Sequence, residues 1–400
     1  MKKRLFASLL VILMVLCLTP TKSQAYASSE SKMQLGASGI RPEDEVYFGS
    51  YMGNVIPWIV LSSSTLSETS VASGTSVLPL FSRYLLGDIP FYILGGGYYS
   101  GSSLQEVMET LFQAFPEQDR NAVTDTTLIG NSMYLGESNL TSQKLFPLSL
   151  EETTDFDSSL NVGFDPEGVP NNWWLRTSTD IIDDYSISVV GNSIAAHVHC
   201  IYAARPALNL DQSSVIFISS TVGGKALSGT GLNAIKTGAV SRWKLTLYDK
   251  DRANFSIKTT KYETTSISID YSGAKTGESE YLSAVIVDEG RIVYYGRLLQ
   301  LDGTTHGSSG QVSIDIPSGI TLDSNTTLRL FNEQYHSDAS GDPVQTDYSS
   351  ALKGATLSAE IPATGDSALP ALWVGVALAA IIGLCGSAII SRRASRAEQA

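Results

Sequence analysis

From Trp243 to Phe331 the apolar residues recur at every second position, in six runs split by turn residues. The runs are Trp243 to Tyr248, Ser266 to Tyr271, Leu282 to Val287, Arg291 to Leu299, Gln311 to Ile316 and Thr327 to Phe331. Successive side chains of an extended chain point to opposite faces, so this alternation assigns every strand a buried side and a second, different side. Asp302-Gly303, Ser318-Gly319 and Gly341-Asp342 supply the turn chemistry between runs. Short strands at this spacing predict an antiparallel β-sandwich over residues 241–350.

Residues 44–212 read differently. Strand-like stretches begin at Val46, but Leu104, Val107, Met108, Leu111, Phe112 and Phe115 recur at helical spacing and predict a helix over Gln105 to Phe115. Residues 213–240 are rich in Gly, Ser and Thr and predict a linker between the two parts. Residues 28–43 read as a polar leader.

The two ends carry processing chemistry. Lys2, Lys3 and Arg4 precede an apolar stretch from Leu5 to Leu18, and Ala25-Tyr26-Ala27 is a small-residue cleavage site. This predicts a signal peptide over 1–27 and a mature chain starting at Ser28. Near the other end, Ile361-Pro362-Ala363-Thr364-Gly365 precedes an uncharged run from Leu369 to Ile390, and Arg392, Arg393 and Arg396 follow. That order resembles a sortase sorting signal of Gram-positive bacteria. By the resemblance, a sortase cysteine attacks the Thr364 carbonyl, frees the peptide starting at Gly365 and passes the chain to a peptidoglycan amine. Ile361 stands where Leu is commonest. Pro362 fixes φ and extends Ile361 for presentation. At about 1.5 Å per residue the run 369–390 reaches across roughly 30 Å of hydrocarbon, which predicts a transmembrane segment with a basic cytoplasmic tail, 391–400. Residues 351–360 would be a short stalk. The expected location is the outer face of the cell wall, with the membrane spanned only before sorting.

Removing residues 1–27 and 365–400 leaves 20 Lys and Arg against 38 Asp and Glu, a net charge of −18. Such a chain repels nucleic acid and anionic membranes. It also retains only Cys200, so its stability must come from packing rather than from an internal disulfide.

Three stretches in the first part carry a further resemblance. Val46 to Tyr51 (VYFGSY) with Ile56 to Leu61 (IPWIVL) look like an opening hairpin; Leu145 to Glu152 (LFPLSLEE) like a middle strand and helix start; Trp173 to Ser178 (WWLRTS) with Ala204 to Leu210 (ARPALNL) like a closing pair. Together they resemble a domain of unknown function found in bacterial surface proteins, whose closing pair usually reads WLRS and RPAL. Thr177 stands where that family usually has Ser. In the second part, Leu330 to Tyr335 (LFNEQY) with Thr346 to Ser350 (TDYSS) resembles a module often found behind this domain. The resemblance implies, by analogy, a C-type-lectin-like or formylglycine-enzyme-like fold. The expected fold class is therefore α+β: a mixed, C-type-lectin-like N-terminal domain, an immunoglobulin-like β-sandwich and a C-terminal transmembrane helix. The family has no assigned catalytic residues, so none transfers.

Candidate sites follow from residue chemistry. Trp173, Trp174, Tyr98 and Tyr99 could form a stacking platform for a sugar or peptide, although the two tryptophans read first as core. Tyr98 and Tyr99 follow Gly95-Gly96-Gly97 and read as exposed loop residues. Arg176 and Arg205 read as buried structural donors that lock the closing strands, with ligand gripping as the secondary role. His197 and His199 share a face on a strand while Cys200 points away, which gives two ligands where zinc wants three or four, so no metal is expected. Asp180, Asp183 and Asp184 leave Ca²⁺ open as a cofactor but read as a solvated acidic loop. Lys244 and Asn332 stand where a Lys–Asn isopeptide bond could join first and last strands.

No Gly-x-Ser-x-Gly, His-Glu-x-x-His or phosphate-loop pattern occurs. The expectation is a non-enzymatic, wall-anchored binding or adhesion protein whose partners are a sortase, peptidoglycan and an extracellular glycan or protein. A wall-associated enzyme and a structural wall or pilus component are the alternatives.

Overall fold

One strand, Arg242–Tyr248, organises the molecule. In a computed structural model that describes residues 33–34 and 40–355, apart from 92–97, 130–138, 155, 157, 181–184, 191, 226–230, 236–240, 264 and 337–344, this strand has three neighbours. It runs parallel to Glu45–Tyr51 at its start, parallel to Asp347–Ser349 at its end, and antiparallel to Val215–Ser220. Among the described residues it lies in a 14-stranded sheet. One arm continues through Glu45–Tyr51, Asn54–Val60, Val77–Ser82, Pro206–Asp211 and Phe146–Pro147. The other continues through Asp347–Ser349, Thr326–Gln334, Glu280–Asp288 and Arg291–Gln300. The expected signal peptide, the expected sorting motif 361–365, the run 369–390 and the tail lie outside the described residues.

The two-residue period of the hub strand serves two environments. Trp243, Leu245 and Leu247 enter a core shared with Val46, Trp58, Leu80 and Leu208. Lys244 and Thr246 are equally buried on the opposite side. Parity works the same way in the neighbouring arm. Leu282, Ala284, Ile286, Leu328 and Leu330 pack with Ile267, Ile269 and Ile314 from a three-stranded sheet, Ser256–Tyr262, Ser266–Ser272 and Gly310–Asp315. Val285, Val287 and Phe331 instead join Phe217, Ile292, Tyr295 and Leu352. The packing of two sheets is that of a β-sandwich.

The expected helix is present as Ser103–Gln113, with Leu104, Met108, Leu111 and Phe112 buried. Ser102 caps it: its hydroxyl accepts from the Gln105 N–H at 3.1 Å. Phe115, just past its end, packs on Gly49, where φ is +67° and an added Cβ would sit 2.5 Å from the ring. Only glycine combines that backbone with so close an approach.

The fold class requires correction. The described chain is mostly β, not the α+β mixture with a lectin-like first domain that the family resemblance implied. The helix signal was genuine but local. Elsewhere in 44–212 the Gly, Ser, Asn and Asp interruptions punctuate short strands, some of which join the large sheet while the others form a five-stranded, a three-stranded and a two-stranded sheet. The C-terminal transmembrane helix is likewise removed from the fold class: among the described residues no helix is long and apolar enough to cross a membrane.

Candidate functional site: a polar cleft beside the hub strand

A short helix, Glu117–Asn121, follows the Ser103–Gln113 helix after the Phe115-Pro116 corner. Its buried side is anchored by Asp119. One Asp119 oxygen accepts from the Gly49 N–H at 3.1 Å and the other from the Tyr348 hydroxyl at 3.1 Å. Burial raises the Asp119 carboxyl to about 7, against the smaller opposing effect of these hydrogen bonds. The helix is thereby tied to the Glu45–Tyr51 and Asp347–Ser349 strands.

The outer side of this helix faces the turn that follows the hub strand. Between them lies an open cleft of about 290 Å³. Glu117, Gln118 and Asn121 line one wall; Tyr248, Lys250 and Asp251 line the other, with Ser214 at the rim. Tyr248 is 40 % exposed, an aromatic face presented among amides, carboxylates and an amine. Lys250 Nζ and Glu117 Oε1 approach to 3.8 Å with both side chains mostly in solvent. The second wall is rigid because the Asp249 side chain accepts from the Asp251 N–H at 3.0 Å and caps the 3₁₀ turn Lys250–Arg252. Chemically the arrangement offers hydrogen-bond donors and acceptors beside a stacking surface, suited to a ligand rich in hydroxyls. A second cavity, of about 370 Å³, is lined largely by Val60, Leu61, Leu78, Pro79, Ile218 and Leu245 and offers an apolar wall instead.

The residues singled out from sequence lie elsewhere. Trp173, Trp174 and Tyr99 are fully buried and Tyr98 is half-buried, so the four do not form an exposed platform. Trp174 donates to the Ile89 carbonyl at 2.9 Å and packs against Phe91 and Tyr202. Trp173 packs on Phe81. Tyr99 does lie in a loop ahead of the helix, but the expectation that it is exposed fails, because its ring is buried in the first core with Leu104 of the helix.

Arg176 is fully buried and grips both Glu152 oxygens, at 2.5 and 2.9 Å, together with the carbonyls of Pro147 and Glu68 at 2.9 and 3.2 Å. Arg205 donates to the carbonyls of Ser82 and Leu160 at 3.1 and 2.7 Å and stacks over Phe81 at 4.2 Å. Burial, and to a lesser degree nearby Arg83, lowers Arg205 to about 9. Thr177 supplies a hydroxyl that accepts from the Leu150 N–H at 2.9 Å, a role Ser could also fill.

His197 and His199 are exposed with ring centroids 5.0 Å apart, and Cys200 is half-buried. Among the described residues no group of three metal-ligating side chains occurs. Asp183 and Asp184 lie outside the described residues, as do Gly95, Gly96 and Gly97. The pairing of Lys244 with Asn332 is not formed. Asn332 faces the side of Glu280 and Arg252, at 3.2 and 3.3 Å, whereas Lys244 contacts Asp347 and the His336 carbonyl. Strand parity separates them, because Asn332 and its neighbour Glu333 point to opposite faces.

Comparison with known proteins is limited to part of the chain. Residues 92–212 match a family described as a domain of unknown function (DUF6273). No curated protein matches, and no solved structure matches. The matched residues contain the Glu117–Asn121 wall of the cleft; Tyr248, Lys250 and Asp251 lie beyond them. Sequence reasoning missed the cleft because its walls are 127 or more positions apart, counting from Asn121 to Tyr248, and only the parallel pairing at the hub brings them together. The one local signal was an aromatic at the end of an alternating run, Tyr248, followed by four charged residues, Asp249 to Arg252.

Proposed function

We propose that this chain is a wall-anchored surface protein of a Gram-positive bacterium that binds an extracellular glycan in the Glu117–Asp251 cleft. The cleft carries the binding half of this reading: an exposed Tyr248 ring flanked by Gln118, Asn121, Lys250 and Asp251. Sugars present C–H faces to aromatic rings and hydroxyls to amides and carboxylates, and this set meets both needs. The location half rests on Ile361 to Gly365 with the apolar run and arginines after it, and on Ala25, Ala27 and Ser28 at the leader. The net charge favours a neutral or basic ligand over a polyanion.

The test is a glycan array probed with the purified chain, its Tyr248→Ala and Asn121→Ala variants, and a Leu78→Ser variant of the apolar groove. Tyr248→Ala should weaken binding about tenfold, the loss of one stacking contact of roughly 1 kcal/mol plus a hydroxyl. Leu78→Ser should leave it unchanged. No glycan bound by any form, or loss of binding in the groove variant alone, would sink the assignment.

A further inference from the structure

The polar face of the hub strand looks onto a closed cluster of charges. Lys225 Nζ lies 2.7 Å from Glu333 Oε2 and 2.6 Å from Asp347 Oδ2. The other Asp347 oxygen, Oδ1, accepts from the His336 N–H at 2.7 Å and lies 2.8 Å from Lys244 Nζ. Glu333 Oε1 accepts from the Ser283 hydroxyl at 2.6 Å and from the Tyr295 hydroxyl. All four charged side chains are 0–1 % exposed. The rings of Phe217, Tyr295 and Tyr335 lie around the two amines.

Burying two amines and two carboxylates is costly, and their mutual attraction often fails to recover the lost hydration. The arrangement does hold an amine nitrogen against a carboxyl group, with a second carboxylate in contact with the amine and two donors on the far carboxyl oxygen. Those are the parts of an acyl-transfer site: nucleophile, base and oxyanion donors.

We propose that Lys225 and Asp347 form a self-modification site, in which the Lys225 amine condenses with the Asp347 carboxyl to give an intramolecular amide. Glu333 Oε2 accepts a proton from Lys225 Nζ. The freed lone pair attacks Asp347 Cγ, and the negative charge gathers on Oδ1, between the His336 N–H and the Lys244 ammonium. The Cγ–Oδ2 bond then breaks. Oδ2 leaves as water with two of the three ammonium protons, one returned by Glu333, which ends ionised as it began. The remaining proton stays on the amide nitrogen, so no oxidant, reductant or further reactant is needed.

The neighbouring carboxylates outweigh burial and hold Lys225 above its ordinary value, so the first proton transfer is uphill. A single turnover suffices, and fixed intramolecular partners can reach effective concentrations of about 10⁵–10⁸ M. Lys244 is pushed down to about 8, chiefly by burial, and gives up a proton more readily than Lys225, but contact decides the roles: Lys225 touches both Asp347 Oδ2 and the base Glu333, whereas Lys244 sits on Oδ1 and the His336 carbonyl and is placed as the stabilising donor. The product exchanges one buried ion pair for a neutral amide. It closes a covalent loop from residue 225 to residue 347 and so ties the segment after Val215–Ser220 to the Asp347–Ser349 strand.

The deciding measurement is the intact mass of the purified, fully denatured chain against the mass of its own processed sequence, followed by peptide mapping. The expected mass is lower by one water, and digestion should yield one branched peptide joining Lys225 to Asp347. Glu333→Gln, which keeps the side-chain volume, and Lys225→Arg should each restore the full mass. Native-state resistance to trypsin in these two variants confirms that they fold; a full-mass variant that is readily digested is replaced by Lys225→Met and scored the same way. Full mass in the unmutated chain would overturn the proposal. So would a branch at Lys244, or water loss that persists in Lys225→Arg. None of these outcomes depends on whether a glycan binds the cleft.

Discussion

Two buried charge clusters, one within residues 44–212 and one beyond them, solve the same problem with different cations. In the first part, Arg176 spreads its charge over both Glu152 oxygens and two carbonyls, and Glu152 also accepts from the backbone N–H groups of Ser149 and Glu68 at 2.9 and 3.3 Å. The guanidinium is a planar fork that keeps its proton, so this pair can only hold strands together. In the second part the cations are Lys225 and Lys244, point charges whose nitrogen becomes a nucleophile once deprotonated. The Arg cluster is a lock. The Lys cluster has the components of a lock that could become covalent.

The contrast breaks most readily at Glu152. Glu152→Ala strands the Arg176 charge in the core and should cost about 3–5 kcal/mol, read as a lower denaturant midpoint with an unchanged slope. A loss under about 1 kcal/mol would mean that water reaches Arg176 and that the cluster is no lock. Arg176→Lys is the sharper comparison, because it keeps the charge and removes the fork. We expect it to cost about 1–3 kcal/mol, one or more charge-assisted hydrogen bonds. If Lys proves equivalent to Arg at this position, the distinction between the two clusters loses its basis.

Asp119 belongs to neither cluster and shows what an uncompensated buried carboxyl does. Its folded-state value, about 7, lies above the ordinary 3.8. The folded chain therefore binds the proton more tightly than the unfolded one. That contribution is complete below about pH 4 and is lost as pH rises towards 7, with a slope of at most about 1.4 kcal/mol per pH unit. Asp119→Asn should flatten the stability profile between pH 4 and 7, measured by denaturant titration at each pH. A profile with the same slope in the variant would assign the pH dependence to other groups.

Much of the second part was legible in the sequence, because a period of two is a direct record of strand faces. The same period that marked Thr327 to Phe331 as a strand also decides that Asn332 and Glu333 face opposite ways. Its extension by those two residues would have ruled out Asn332 as a partner for Lys244. The helix was legible for the matching reason, an apolar stripe read as Gln105 to Phe115; the structure starts and ends it two residues earlier, at Ser103–Gln113, where Ser102 caps it. What could not be read was long-range pairing. Nothing local in Glu45–Tyr51 says that it lies parallel to Arg242–Tyr248, and nothing local in Lys225 says that it meets Glu333. Tyr99 and Tyr248 make the same point in opposite directions. A tyrosine behind three glycines is buried, and one at the end of a core strand is exposed, because tertiary packing and not neighbouring residues decides each.

The smallest effect is expected at the cleft itself. Lys250 and Glu117 face each other at 3.8 Å with side chains 71 % and 66 % exposed. An ion pair so hydrated is screened by salt and adds little to folding. Lys250→Gln should therefore leave the denaturant midpoint within experimental error, where either buried cluster would respond strongly. Any glycan binding should nevertheless change, because the amine lines the same cleft as Tyr248 and supplies a donor there. A Lys250→Gln chain that is as stable as the parent but binds differently would separate the charges that build this molecule from those that serve its surface. A chain that loses stability to the same degree as Glu152→Ala would show that the cleft walls are themselves part of the lock.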